Sequence, residues 1–127
     1  MTIKISIIGD SFISSKVFLT SVKKHLKSIR PKIKIKFFTK DFKEEKLKPL
    51  ISKEVSEAFG DPKDVIKIAK NTNILITTFA PITEHVLKNC KKLLIVACGR
   101  GGPINVNIKA ATKKKVLVLF APGRNID

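Results

Sequence analysis

This sequence predicts an α/β fold on a parallel sheet, and three observations carry the prediction. Short apolar runs alternate with segments of helical period along the 127 residues. Three runs in the second half, Asn73 to Thr78, Leu93 to Cys98 and Val116 to Phe120, are almost unbroken, as parallel strands covered on both faces are. From Lys32 to Phe38 the chain alternates strictly, with Ile33, Ile35 and Phe37 on one face and Lys32, Lys34 and Lys36 on the other, which suits a charged edge strand.

The elements follow in order. Ile3, Ile5, Ile7 and Ile8 make a first strand that ends in the turn residues Gly9-Asp10-Ser11. From Ser14 or Ser15 the period changes, and Val17, Phe18, Val22, Leu26 and Ile29 form the apolar stripe of a helix closed by Pro31. The lysine-faced second strand comes next. A second strand at the edge fits the order 2-1-3-4-5, a flavodoxin-like three-layer fold with five parallel strands. Between Asp41 and Phe59 weak helical spacing predicts short helices. Asp61-Pro62 is a helix start, with Asp61 as N-cap, Pro62 in the first helical position and Val65, Ile66 and Ala69 turned inward. Thr83 caps the helix that carries Val86 and Leu87, and Asn107 caps the one through Ala110 and Ala111. The whole chain, residues 1–127, reads as one domain without linker or repeat, long enough to bury a core without staples.

Composition narrows the function classes. No apolar run approaches the ~18 residues of a membrane span, and Met1-Thr2-Ile3-Lys4 has neither the n-region nor the cleavage site of a secretory signal, so a cytoplasmic protein is expected. Cys90 and Cys98 flank or sit within apolar runs and read as buried thiols; no metal-ligand cluster is present. The net charge of +16 points toward polyanions. Of the 26 basic residues, however, only Arg30, Arg100 and Arg124 are arginine, and the lysines are spread along the chain. With eight phenylalanines mostly in apolar periods and no tyrosine or tryptophan, a base-stacking platform is poorly supplied. A small basic module binding nucleic acid or another polyanion is therefore the alternative reading.

Candidate chemistry gathers where strands end. Gly99-Arg100-Gly101-Gly102-Pro103 and Ala121-Pro122-Gly123-Arg124-Asn125 both follow strands and are expected at the carboxyl edge of the sheet, where open α/β folds bind ligands. Neither the first run nor the turn at Gly9 has the G-x-G-x-x-G spacing of a dinucleotide fingerprint. The first run offers successive backbone N–H groups to an anion, helped by Arg100, and reads equally as a loop whose glycines serve tight geometry alone. Asp10 reads as a functional acid or as a turn former. His25 and His85 lack a carboxylate spaced to orient them, and no nucleophile stands beside a base, so no catalytic residue is assigned.

The runs Asn73 to Leu87, Leu93 to Asn107, Ala110-Ala111-Thr112 and Ala121 to Asn125 together resemble the NAD-dependent D-isomer-specific 2-hydroxyacid dehydrogenases, a family that includes phosphoglycerate dehydrogenase. The likeness covers about residues 60 to 127 closely and the first 59 only in element order. It implies a first, substrate-binding domain that stops before the nucleotide-binding domain. In the family that second domain supplies the NAD fingerprint and the catalytic Arg, Glu and His, so no cofactor is expected on this chain alone. By the same resemblance the backbone amides of Arg100 and Gly101 hold the substrate carboxylate, with Gly102 and Thr78 beside them and Asn125 near the cleft between domains. Thr77 and Thr78 stand where many members carry a substrate-binding arginine, and Asn107 replaces a frequent aspartate. The partners implied are a small carboxylate substrate and either a second copy of the chain, with Val116 to Phe120 at risk of exposure, or a separate nucleotide-binding chain.

Overall fold

A computed structural model gives the fold and describes residues 1–29, 32–43 and 48–121. Five strands, β1 (Thr2–Gly9), β2 (Lys34–Asp41), β3 (Ile74–Thr77), β4 (Ile95–Cys98) and β5 (Leu117–Phe120), alternate with α1 (Ser15–Ile29), α2 (Pro62–Ala69), α3 (Glu84–Asn89) and α4 (Ile108–Lys113). The sheet is parallel throughout, in the order β2-β1-β3-β4-β5. The expected architecture is thus the observed one.

Register separates the two faces. Ser6, Leu75, Val96 and Val118 lie side by side across β1, β3, β4 and β5, and Phe38 of β2 joins the same row. This face meets α2, α3 and α4: Ile8, Leu75 and Val96 pack with Val65, Ala69, Val86, Leu87, Ala110 and Ala111 in one core. Ser6 is buried there and satisfied, its hydroxyl hydrogen-bonded with Thr72 and close to the Ile68 carbonyl. The opposite face carries α1, whose Lys23 ammonium sits 5.6 Å from the centre of the Phe37 ring.

Three helix starts follow from their capping residues. Asp61 Oδ1 accepts from the Lys63 N–H, Thr83 Oγ1 from the Val86 N–H and Asn107 Oδ1 from the Ala110 N–H. At the start of α1, whose first turn has no acid, Ser14 Oγ accepts from the Val17 N–H at 3.4 Å. Asp41, at the end of β2, supplies the anion: its Oδ1 accepts from the Ser15 N–H at 2.7 Å and its Oδ2 from the Ser15 hydroxyl at 2.9 Å.

Three expectations are corrected. Phe18, Val22 and Leu26, four residues apart, face the sheet half-buried, but Val17, a hundred degrees round the helix, and Ile29, in its last turn, are exposed. Strand β2 runs on to Asp41, because Thr39, Lys40 and Asp41 pair with Ile7, Ile8 and Gly9 although their side chains carry no apolar signal. No helix forms among the described residues between 41 and 59. Pro49 and Phe59 instead make an antiparallel bridge, and the backbone N–H groups of Ser56 and Phe59 donate to the distant carbonyls of Ile104 and Phe79. Tertiary acceptors take the place of the helical ones.

Candidate functional site at the carboxyl ends of β3 and β4

The Gly-rich run leaves β4 at Gly99, whose N–H donates to the Thr77 carbonyl at 2.9 Å, and returns at Asn105 to Asn107 beside the chain that follows β3. The return is stitched by reciprocal bonds: the Ile82 N–H donates to the Asn105 carbonyl and the Asn107 N–H to the Ile82 carbonyl, both at 2.9 Å. Asn105, fully buried, donates Nδ2–H to the Ala80 carbonyl at 2.8 Å. The base of the loop is therefore held on both strands.

Its tip is open. A Cβ placed on Gly101 or on Gly102 would meet nothing within 4 Å, and the backbone N–H groups of Arg100 and Gly101 have no acceptor among the described residues. The Arg100 side chain points to other partners: Nη2 lies 2.8 Å from Glu57 Oε2, Nη1 donates to the Glu57 carbonyl at 3.1 Å, and the guanidinium lies 5.0 Å from the centre of the Phe79 ring. Glu57 adopts a left-handed backbone, φ 47°, in making this contact. What the tip presents is main-chain donors, with the positive charge of Arg100 behind them.

Thr78 is buried, and its Oγ1 has no hydrogen-bond partner among the described residues. It lies on the α1 side of the sheet, where a Cβ on Gly99 would stand 3.5 Å from Thr78 Oγ1 and 2.8 Å from the Phe18 ring. The structure therefore brings Thr78 beside Gly99 and places Arg100, Gly101 and Gly102 at the adjoining tip. Asn125 lies outside the described residues, as do the other residues of its turn after Ala121.

The remaining candidates resolve simply. Asp10 Oδ1 accepts from the N–H groups of Phe12 and Ile13 at 2.8 and 2.9 Å, so it shapes the β1–α1 turn. His25 is exposed and bonds through Nδ1 to the Ser21 carbonyl; His85 is exposed beside Asn89. Both cysteines are buried free thiols, pushed up to about 11 by burial. At Cys98 the Asn105 side chain and the charge of Arg100 oppose that rise. Among the described residues no group of three His, Cys, Asp or Glu side chains gathers to hold a metal, and no helix is long and apolar enough to cross a membrane.

Sequence reasoning missed Glu54, Glu57, Phe79 and Asn105. Glu54 Oε1 accepts from the Asn107 amide at 2.6 Å and from the Glu84 N–H, tying α3 and α4 to the 48–60 segment. These acids lie in a region read as helical, and their partners are more than 25 residues away.

Comparisons with known proteins show the family. Residues 21–127 match the family described as D-isomer specific 2-hydroxyacid dehydrogenase, catalytic domain. A putative 2-hydroxyacid dehydrogenase, YoaD, of Bacillus subtilis is 36% identical over 75 residues, covering 58% of this chain and 22% of that protein. Glyoxylate reductase of Pyrococcus horikoshii is 31% identical over 100 residues, covering 74% of this chain and 29% of that protein. The matched part thus spans under a third of the length of either relative. With the match covering most of its length, and with the parallel 2-1-3-4-5 sheet beneath it, the chain belongs to the D-isomer specific 2-hydroxyacid dehydrogenase family.

Proposed function

We propose that this chain is the substrate-binding, first domain of a cytoplasmic NAD-dependent oxidoreductase acting on the CH-OH group of 2-hydroxy acids. The observation that supports it is the pair of backbone N–H groups at Arg100 and Gly101, without acceptors among the described residues, at the open tip of a loop whose base is fastened. A small carboxylate, such as that of glyoxylate or a 2-hydroxy acid, is the acceptor they fit. Two main-chain donors orient a carboxylate without a cationic side chain in contact with it. Thr78 and Asn125 stand in this reading beside the bound acid.

In this reading the β1–α1 turn does not hold NAD. At the β1–α1 turn a Cβ on Gly9 would stand 2.1 Å from the Ser15 nitrogen and 2.3 Å from Asp41 Oδ1, so the place at a helix start where a dinucleotide phosphate would sit is filled by a carboxylate of the chain itself. NAD chemistry is assigned to the rest of the protein's architecture, and this chain by itself performs no hydride transfer. The partner is a second copy or a separate nucleotide-binding chain. Exposed Leu117 and Leu119 beside half-buried Ile74, Ile76 and Ile95, all on the α1 side of the sheet, support a covering partner there. The purified chain with NAD and a panel of 2-hydroxy acids is expected to give no turnover; clear turnover without a second polypeptide would overturn the reading.

A further inference from the structure

The opposite edge of the sheet carries a feature that the dehydrogenase reading does not use. Lys34, Lys36, Phe38 and Lys40 alternate along the α2-side face of β2, all four exposed, with the Phe38 ring 49% accessible between two lysines. The next strand inward, β1, turns Ser6 toward Ile68 of α2, so that helix covers β1 and leaves the face of β2 open. Between the end of β2 and α2 lies a groove of about 570 Å³ lined by Lys40 and Lys43 on one side and Lys67 and Ile68 on the other.

Among the described residues that line the groove, lysines outnumber the free acids. Of the two acids described there, Asp41 is committed to Ser15, which leaves Asp64 beside three lysines. Among the described residues none of these lysines is in an ion pair. Keeping an edge strand from pairing is one use of such lysines. It does not call for cations on both walls of a groove or for an exposed phenylalanine in the row. Alternate residues of a strand are about 6.6 Å apart, close to the step between successive phosphates of an extended single strand. Lysine is a point charge that binds phosphate without reading sequence, and an exposed ring between lysines offers a base a stacking surface.

We propose that the Lys34-Lys36-Phe38-Lys40 row and the groove closed by Lys43 and Lys67 form a binding surface for the backbone of a single-stranded nucleic acid, without sequence preference. The test is fluorescence anisotropy of the 127-residue chain with a labelled twenty-nucleotide oligo(dT), titrated between about 50 and 200 mM salt. Five lysine contacts correspond to a slope of log affinity on log salt of about −3.5. Replacing three of them in Lys34→Gln/Lys36→Gln/Lys40→Gln is expected to lower that slope by about 2 and to weaken binding more than tenfold at physiological salt. Phe38→Ala is expected to weaken it about tenfold with the slope unchanged. Lys43→Gln/Lys67→Gln, which leaves the strand intact, is expected to lower the slope by about 1.4. The equal charge loss Lys113→Gln/Lys114→Gln/Lys115→Gln, at the turn before β5, is expected to change affinity less than twofold. Absence of binding at physiological salt overturns the proposal, and so does an equal loss in the Lys113 to Lys115 variant. Equal binding to heparin or anionic vesicles that ignores Phe38→Ala overturns it in favour of a plain polyanion surface.

Discussion

Arg100 and Glu57, forty-three residues apart, are joined twice: through Nη2 to the carboxylate at 2.8 Å and through Nη1 to the main-chain carbonyl at 3.1 Å. The same guanidinium lies over Phe79, so three segments meet on one side chain. The carboxylate of Glu57 is mostly exposed, which makes the ion pair itself worth little, and the fork and the stacking carry the contact. With the side chain held there, the backbone N–H groups of Arg100 and Gly101 are left without an acceptor among the described residues.

Arg100→Lys keeps the charge and loses the fork. Urea denaturation is expected to show a loss of about 1 to 2 kcal/mol. Carboxylate binding, which rests on the amide of residue 100 and not on its side chain, is expected to stay within about threefold of the parent.

Asn105→Ala removes the donor to the buried Ala80 carbonyl. The expected cost is about 2 kcal/mol in the same denaturation measurement, since a buried acceptor left without a donor bears its full desolvation penalty. A change below about 0.5 kcal/mol would mean that the base of the loop is fastened by the backbone bonds alone.

The glycines separate by role. Gly9→Ala drives a Cβ to 2.1 Å from the Ser15 nitrogen, a backbone atom, and is expected to cost more than about 3 kcal/mol or to prevent soluble expression. Gly102→Ala meets open space and is expected to melt within a degree or two of the parent. Comparable thermal melts of the two variants would contradict the assignment of the β1–α1 turn as filled.

Cys90 and Cys98 make stability fall in alkali. Burial raises both thiols to about 11, so between pH 9 and 11 the folded chain keeps protons that the unfolded chain has released. Their contribution is complete below pH 9 and is lost as the pH rises toward 11. The Cys90→Ala/Cys98→Ala variant, less stable at neutral pH through its cavities, is expected to show a shallower decline over that window. Parallel declines would mean that the two thiols do not carry the alkaline loss.

The strand order was legible because its signals are local: alternating lysines mark β2 as an edge, and unbroken apolar runs mark β3, β4 and β5 as parallel strands, although β5, read as covered on both faces, is the other edge and leaves Leu117, Leu119 and Phe120 exposed. Asp61, Thr83 and Asn107 were legible as caps because a short polar side chain directly before a helical period has few other uses. The 48–60 segment was not, since what holds it is tertiary: Ser56 to Ile104, Phe59 to Phe79, Glu57 to Arg100. Its weak helical spacing described no hydrogen bonds that form. The Gly-rich loop was legible as a turn at the carboxyl end of β4, but the direction of the Arg100 side chain depended on Glu57 and could not be read from the loop's own residues.

The central claim is that the amides of Arg100 and Gly101 receive a small carboxylate. A ¹H–¹⁵N correlation titration of the isotopically labelled chain with glyoxylate tests it most directly. The account predicts saturable shifts of the Arg100 and Gly101 amide resonances, with smaller ones at Gly102 and Thr78. Shifts confined to the lysine groove at Lys40, Lys43 and Lys67, with Arg100 and Gly101 unmoved across the titration, would contradict it.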